Sequence, residues 1–491
     1  MEILQRILEI TELYPERIAV AERERTYSYH DLKQAVAHLS AQIKLTSYRP
    51  ILVFGKNDFR SLAAMLAVNL TGRAYIPVDA HTPFERTQMI FEAAKPSLVI
   101  ATVPLEGEFA ALFASRLDFL DFFPKDLDLL KIDLSQAVTG SDAQYIIYTS
   151  GTTGVPKGVV VSHDNLATFT DWMNTDFEQI EVNQFLEQPL YSFDLSIFSL
   201  YPSLTTGGTL VSLSRDETTN FKLLFERLNH TVINTWVSTP SFVDICLLDP
   251  SFTETQHPDL RQFIFCGEEL THKTAEKLLK AFPTAAVYNT YGPTEATGAI
   301  SSVRVNPELL AKYDRVPIGR AKPGVELKII GNEIIITGNS VATAYFENPV
   351  KTAEAFFDLN GVPAYHSGDA GFFDTDGILN YNGRIDFQIK FNGFRIELQD
   401  IEANLLLLPE VEKAVVLPKV NEQHKTTGLI AVLVAPHGEQ ADREFTKALK
   451  ADLAPLIMDY MMPTRFVYVS DFPLNQNGKI DRKALAAEVG L

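Results

Sequence analysis

Apolar runs too short for a helix alternate with amphipathic stretches long enough for one, from residue 1 to about 140. Ser28 with Asp31 makes a capping-box pattern that opens a helix over Asp31–Ile43. The pattern then predicts strand Ile51–Phe54, helix Arg60–Leu70, strand Ala74–Val78, helix Phe84–Ala94 and strand Leu98–Thr102. Strands that alternate with helices are joined by right-handed crossovers, so a mostly parallel sheet covered by helices is expected. The alternation resumes through Gln184–Leu190, a helix over Leu195–Leu204, Thr209–Leu213, Phe221–Asn229, Val232–Val237 and Gln262–Cys266.

From Val325 the texture changes. Short alternating strands at Glu326–Ile330, Glu333–Thr337 and Ile378–Asn382, separated by Gly-Asn and Asp-Gly turns, predict a small β-barrel or sheet. Past Asp386 the pattern mixes a helix around Leu398–Leu407, strands Ala414–Pro418 and Gly428–Val434, and a helix from Asp442. At 491 residues the chain exceeds a single core. The expected fold is α/β. A large N-terminal domain, 1–385, holds mostly parallel sheets with helices plus a small β-barrel subdomain. A tight hinge at Asp386 leads to a small α+β domain, 386–491, of normal domain size.

Composition removes several functions. Lys and Arg number 43 against 62 Asp and Glu, a formal net charge of −19 that disfavours generic nucleic-acid binding. Two cysteines, Cys246 and Cys266, are too few for a disulfide framework and fit a reducing compartment. No 18-residue apolar run exists, and the N-terminus has neither signal-peptide nor anchor character, so a soluble cytoplasmic protein is expected. No two glycines stand at i, i+2, which excludes the dinucleotide fingerprint, and no Gly-x-Ser-x-Gly elbow occurs. The histidines never pair as His-x-x-x-His and no Cys-x-x-Cys exists, so no zinc site is expected.

Tyr148-Thr149-Ser150-Gly151-Thr152-Thr153-Gly154-Val155-Pro156-Lys157-Gly158 follows the apolar run Tyr145-Ile146-Ile147. Glycines that turn amides inward, four hydroxyls and one lysine make a cradle for phosphate. It is not a Walker loop, because Lys157 is followed by Gly158. Asn289-Thr290-Tyr291-Gly292-Pro293-Thr294-Glu295 reads either as a Gly-Pro turn with an exposed glutamate or as an aromatic, an amide and a magnesium carboxylate at a strand end. His366-Ser367-Gly368-Asp369 reads as an Asx-type turn or as a carboxylate for ribose hydroxyls.

Tyr-Thr-Ser-Gly-Thr-Thr-Gly-x-Pro-Lys-Gly resembles the signature of the adenylate-forming enzymes: acyl-CoA synthetases, luciferases and peptide-synthetase adenylation domains. The resemblance spans essentially the whole chain. It implies ATP and Mg2+ as cofactors, with the triphosphate on Thr149, Ser150, Gly151, Thr152, Thr153 and Lys157. It implies adenine at Asn289, Tyr291 and Gly292, magnesium at Glu295 and Thr294, and ribose at Asp369 and Arg384. Ser367 stands where threonine is commoner. Lys479, within Pro473-Leu474-Asn475-Gln476-Asn477-Gly478-Lys479, is the implied catalytic lysine that bridges carboxylate and α-phosphate. Attack of one anion on another needs such a cation. Asp386 is the implied hinge of a mobile C-terminal domain, and Lys390 and Gly393 face a pantetheine arm in the second half-reaction.

The acid is read from Phe193-Asp194-Leu195 and Cys266-Gly267-Glu268. Asp194 is either a helix cap or, as in amino-acid-activating members, the partner of a substrate ammonium. Asp194, Leu195, Cys266, Gly292, Pro293 and Gly298 are the expected pocket residues, glycine at 298 widening one wall. This set, and a chain that ends soon after Lys479 without a fused carrier, resembles members that load D-alanine onto a separate phosphopantetheinylated carrier protein for (lipo)teichoic acid. The alternatives are a ligase for another small amino or carboxylic acid, with CoA or a carrier as acceptor, and a nucleotide-binding regulator without turnover.

Overall fold

The computed structural model describes residues 2–43, 47–120, 132–151, 155–391, 393–421, 426–435, 443–473 and 480–491. The chain divides into two compact units. One comprises Met1–His81, Phe91–Tyr148 and Gly158–Gly383; the other comprises Thr82–Ile90, Thr149–Lys157 and Arg384–Leu491.

The first unit contains two large mixed sheets. In the nine-stranded sheet the order is Arg320–Ala321, Ser301–Val305, Ala286–Tyr291, Gln262–Phe265, Thr235–Ser238, Gln184–Glu187, Thr209–Ser212, Ile18–Ala21 and Thr26–Ser28. Its central strands from Ala286–Tyr291 to Ile18–Ala21 run parallel. The seven-stranded sheet is built around Ala143–Thr149, Tyr75–Asp79, Ile51–Gly55 and Leu98–Ala101, again parallel. Strands buried on both faces explain why Ile51–Gly55 and Tyr75–Asp79 read as continuous apolar runs. Helix starts are written locally. Ser28 caps Tyr29–Gln42 and Ser162 caps His163–Asp176, each in a reciprocal capping box.

A third sheet of the first unit pairs Val325–Ile330, Glu333–Gly338, Val362–Phe373 and Phe356–Leu359 in order, with Leu379–Arg384 on the long strand. Among the described residues it ends at Val325–Ile330 and Phe356–Leu359, so it is an open antiparallel sheet, and the expected small barrel does not close. The second unit holds the hairpin Gln388–Phe391 with Phe394–Glu397, and the sheet Lys413–Val420, Thr426–Val434, Arg465–Tyr468. Helices Leu398–Leu405 and Arg443–Leu453 accompany them. Ile401, Leu405, Leu429, Leu433 and Leu453 lie in its core. The predicted helix start at Asp442 falls outside the described residues. No helix among those described is long and apolar enough to cross a membrane.

Candidate functional site

Parallel strands offer their carboxyl ends, where loops leave the sheet, as binding positions. In the first unit, Gln262–Phe265 lies beside Ala286–Tyr291 with Phe265 opposite Asn289. Cys266 follows at once, buried, its Sγ 3.7 Å from the Gly298 carbonyl. Asn289 is buried and its Nδ2 donates to the Pro317 carbonyl at 2.9 Å, which fixes the amide. The Tyr291 hydroxyl donates to Asp369 Oδ2 at 2.5 Å. Burial, and after it the Asp369 charge, push this phenol well above 10, so it stays a donor.

Asp369 reaches that contact through a bulge. Along Val362–Phe373 the register slips, with Glu333 opposite Ala370 but Ile335 opposite His366. The extra residues sit at 367–369, where Gly368 takes φ 68° and its N–H donates to Glu333 Oε1 at 2.8 Å. Ser367 donates its hydroxyl to the Ile334 carbonyl at 2.6 Å and accepts the Asp369 N–H at 3.0 Å. A bulge of this kind re-aims one side chain out of the pleat. Asp369 therefore stands on a strand and not in an Asx-type turn.

Glu295 lies in the 3₁₀ turn Thr294–Ala296, fully buried beside the buried Thr294, with Pro293 as the residue before the turn. Its Oε1 accepts the Tyr345 hydroxyl at 2.8 Å and its carbonyl accepts the Ala342 N–H at 2.8 Å. Among the described residues no group of three or more His, Cys, Asp or Glu side chains could hold a metal. Magnesium needs only one or two carboxylates when phosphates and waters supply the rest, and one buried, oriented carboxylate fits that demand.

Thr297 and Gly298 both adopt left-handed backbone, φ 59° and 75°. Such a φ is a true outlier for a β-branched residue. The Thr297 hydroxyl anchors it by donating to the Ser340 carbonyl at 2.9 Å. A Cβ on Gly298 would lie 3.1 Å from both Ile197 and Phe198, and one on Gly292 would lie 2.6 Å from the Ala299 Cα. A side chain at 298 would press on Ile197 and Phe198, so glycine leaves room there for those two side chains. Asp194 is half-buried and starts the 3₁₀ turn Asp194–Ser196, which leads into helix Ile197–Thr206; Leu195 is buried. Neither Phe193 nor Ser196 caps its helix with a side chain. Burial and then the Asp194 charge push the Tyr145 phenol well above 10.

In the second unit Thr149 ends its strand and donates from Oγ1 to the Lys157 carbonyl at 3.5 Å. Ser150 is buried; it donates to the Arg395 carbonyl at 3.1 Å and accepts the Glu397 N–H at 3.3 Å. A Cβ on Gly151 would lie 2.1 Å from the Val155 carbonyl, an approach that only glycine allows. Lys157 opens strand Lys157–Ser162. Burial raises the Glu397 carboxyl, opposed by the charges of Arg395 and Lys157. Lys390 pairs with Arg395 across the hairpin, and Gly393 turns it at φ 85°. Arg384 grips Asp386, Nε donating to Oδ1 at 2.8 Å and Nη2 pairing with Oδ2. Burial would raise Asp386, but Arg384's hydrogen bond and charge outweigh it and the carboxyl is lowered. In this arrangement Arg384, the expected ribose ligand, is engaged by the expected hinge. Thr152, Thr153 and Lys479 lie outside the described residues.

Sequence reasoning passed over Tyr345, Glu333 and Ser150's partners on the hairpin. Tyr345 stands fifty residues from Glu295, with no spacing to announce it.

The sequence profile of the AMP-binding enzyme family matches residues 9–346, and that of the AMP-binding enzyme C-terminal domain matches 400–479. The chain belongs to the AMP-binding enzyme family. Among its relatives, the D-alanine–D-alanyl carrier protein ligase of Lactococcus lactis subsp. lactis is 68% identical over 493 residues, 99% of each chain. The ligase of the same name from Lactiplantibacillus plantarum is 45% identical, covering 94% of each. The fold is shared with the Vibrio cholerae adenylation domain AlmE, solved in complex with glycyl-adenosine-5′-phosphate. That likeness has a TM-score of 0.84 at 23% identity and covers 99% of this chain and 97% of that one. It is shared also with o-succinylbenzoate CoA synthetase from Bacillus subtilis, with a TM-score of 0.82 at 18% identity over 99% and 98% of the two chains.

Proposed function

We propose that this chain activates D-alanine with ATP and passes it to the phosphopantetheine thiol of a separate D-alanyl carrier protein. The observation that carries the reading is the 68% identity, over 99% of both chains, to a ligase named for that reaction. In the first step the alanine carboxylate attacks the α-phosphorus, the bond to the β-phosphate side breaks, and pyrophosphate leaves. In the second, the thiolate attacks the alanyl carbonyl, a C–S bond forms, the C–O bond to phosphate breaks, and AMP leaves with the electron pair.

The residues take roles that their surroundings support. Asn289, held by Pro317, and Tyr291 receive adenine; Asp369, re-aimed by its bulge, receives the ribose hydroxyls. Glu295, with Thr294 beside it, would hold Mg2+, which screens phosphate charge when bound. Thr149, Ser150, Gly151 and Lys157 meet the phosphates, and Lys479 supplies the cation between the two reacting anions. Asp194 pairs with the α-ammonium, a cation matched to a half-buried carboxylate. Lys390 and Gly393 serve the thiol step. On this reading the reaction takes place in the cytoplasm, and D-alanylation of (lipo)teichoic acid uses the product.

Pyrophosphate exchange across D-alanine, L-alanine, glycine and short fatty acids tests the reading. Exchange driven by D-alanine at least tenfold above the others, on the order that one methyl group allows, is expected. Exchange led by a fatty acid, or none with any acid, would overturn it.

A further inference from the structure

Arg86 and Asp400 form a buried ion pair that neither the phosphate loop nor the substrate pocket accounts for. Both belong to the second unit, Arg86 from its segment Thr82–Ile90 and Asp400 from Arg384–Leu491. Their side chains are 8% and 0% exposed, and Arg86 Nη1 stands 3.5 Å from Asp400 Oδ2. Asp400 Oδ1 accepts from Asn404 Nδ2 at 3.0 Å, whereas Oδ2 makes no hydrogen bond among the described residues.

Arg86 is in the first turn of helix Phe84–Ala94, where the macrodipole is positive and disfavours a cation. Asp400 is in the first turn of Leu398–Leu405, where an anion is favoured. A buried arginine placed against its own helix dipole needs an anion, and Asp400 supplies it. Buried pairs of this kind add little net stability over an apolar pair of equal size; their use is to favour the one arrangement in which the charges meet.

What the pair sits behind gives it a task. The Tyr460 phenol, pushed up to about 12 by burial, feels both charges. Its ring stacks on Phe394 with centroids 3.6 Å apart and planes 3° from parallel. Phe394 precedes Arg395, whose carbonyl takes the Ser150 hydroxyl. Asp400 opens the helix that directly follows strand Phe394–Glu397, Tyr460 stacks on Phe394 of that strand, and the same strand holds Ser150 through the Arg395 carbonyl and the Glu397 N–H.

We propose that Arg86 and Asp400 are positioning residues for the thiol-transfer step: they register strand Phe394–Glu397 against Ser150, which sets Lys390 and Gly393 in place for the pantetheine arm. The proposal rests on the two-step reading above. It implies that the pair is idle while the adenylate forms, when Lys479 acts.

The test uses the full chain and measures both half-reactions. D-alanine-dependent pyrophosphate exchange reports the first. Single-turnover transfer from preformed alanyl-adenylate to the phosphopantetheinylated carrier reports the second. Asp400→Asn and Arg86→Ala should slow transfer by about tenfold to a hundredfold, as a misplacement near 1 Å would, with exchange within about threefold of wild type. The swap Arg86→Asp with Asp400→Arg should restore part of the transfer rate. The apolar pair Arg86→Met with Asp400→Leu leaves no buried charge and should fold normally, yet keep the selective transfer loss. Equal losses in both half-reactions for the apolar pair, or no loss in transfer, would overturn the proposal. Absence of D-alanine-dependent exchange in wild type would instead overturn the two-step reading.

Discussion

The two clusters of site residues are held in different ways. Around Asp369 and Glu295 each functional oxygen has a dedicated neutral partner, Tyr291 and Tyr345, at 2.5 and 2.8 Å, and all four residues are buried. Ser367, Glu333 and Ser340 then fix the backbone that carries them. Around Ser150 the fastenings are one hydroxyl between two backbone groups at 3.1 and 3.3 Å, and opposed charges at Glu397 and Asp400. Short bonds between neutral donors and buried carboxylates preorganise a site that must not move. Longer contacts and buried ion pairs choose an arrangement without adding much to its stability, which would suit the proposed positioning of that strand for one step of two.

The largest expected effect comes from removing the charge that neither cluster supplies. Lys479→Ala should lower adenylate formation by about 10²–10³, roughly 3–4 kcal/mol, and spare transfer from supplied alanyl-adenylate. Half-reaction rates check it, and equal losses would erase the division of labour.

Next comes Glu187, a carboxyl buried at the end of strand Gln184–Glu187 in the fixed region, accepting the Ser199 hydroxyl. Burial, opposed by that hydrogen bond, pushes it from 4.5 to about 8. The folded state thus keeps a proton that the unfolded chain has released, so this carboxyl's contribution to stability is fully present below pH 4.5 and is lost as pH rises toward 8. One proton amounts to about 1.4 kcal/mol per pH unit, or about 3 kcal/mol from pH 5 to 7. Denaturation midpoints at the two pH values should show that fall in wild type and a flatter profile in Glu187→Gln. An unchanged slope in the variant removes Glu187 from the account.

Asp194→Ala should raise KM for D-alanine by roughly 2 kcal/mol, discounted for a half-exposed carboxylate, and leave KM for ATP alone. If both constants move together, Asp194 holds the helix start and not the substrate.

The smallest effect is chiral. With ammonium and carboxylate anchored, D- and L-alanine differ in where one methyl points, and on the proposed reading the L-isomer's methyl would meet the Cys266 side chain. Cys266→Ala should cut the D/L ratio in kcat/KM by about tenfold, since a methyl discriminates by only about 1–3 kcal/mol. Its Sγ lies 3.7 Å from the strained Gly298 segment. A fall in D-alanine activity with no change in ratio would make Cys266 a support for that segment.

How much of this the sequence could disclose follows the same contrast. Tyr148–Gly158 and Asn289–Glu295 are legible as candidates because donors, turn and strand end are contiguous in the chain, and Asp369 because it stands beside Gly368. Strand-helix alternation was legible for the same reason, since periodicity is local. Tyr345 beneath Glu295, the bulge that aims Asp369, and Arg86 beneath Asp400 are tertiary facts. Each depends on which strands and helices become neighbours, and no residue spacing encodes it. The left-handed backbone of Gly298, and the Ile197 and Phe198 side chains close to it, are equally tertiary facts. The open edge of the sheet at Val325–Ile330 was equally hidden, because alternating strands and tight turns build barrels and open sheets alike.

Mass measurement of the intact phosphopantetheinylated carrier, after incubation with this chain, ATP, Mg2+, D-alanine and free CoA as a competing thiol, tests the central claim most directly. The account predicts one alanyl group per carrier, dependent on ATP, removed by a thioester-cleaving amine, and much reduced with L-alanine. An unmodified carrier alongside AMP release, with the alanyl group found on CoA instead, would contradict it.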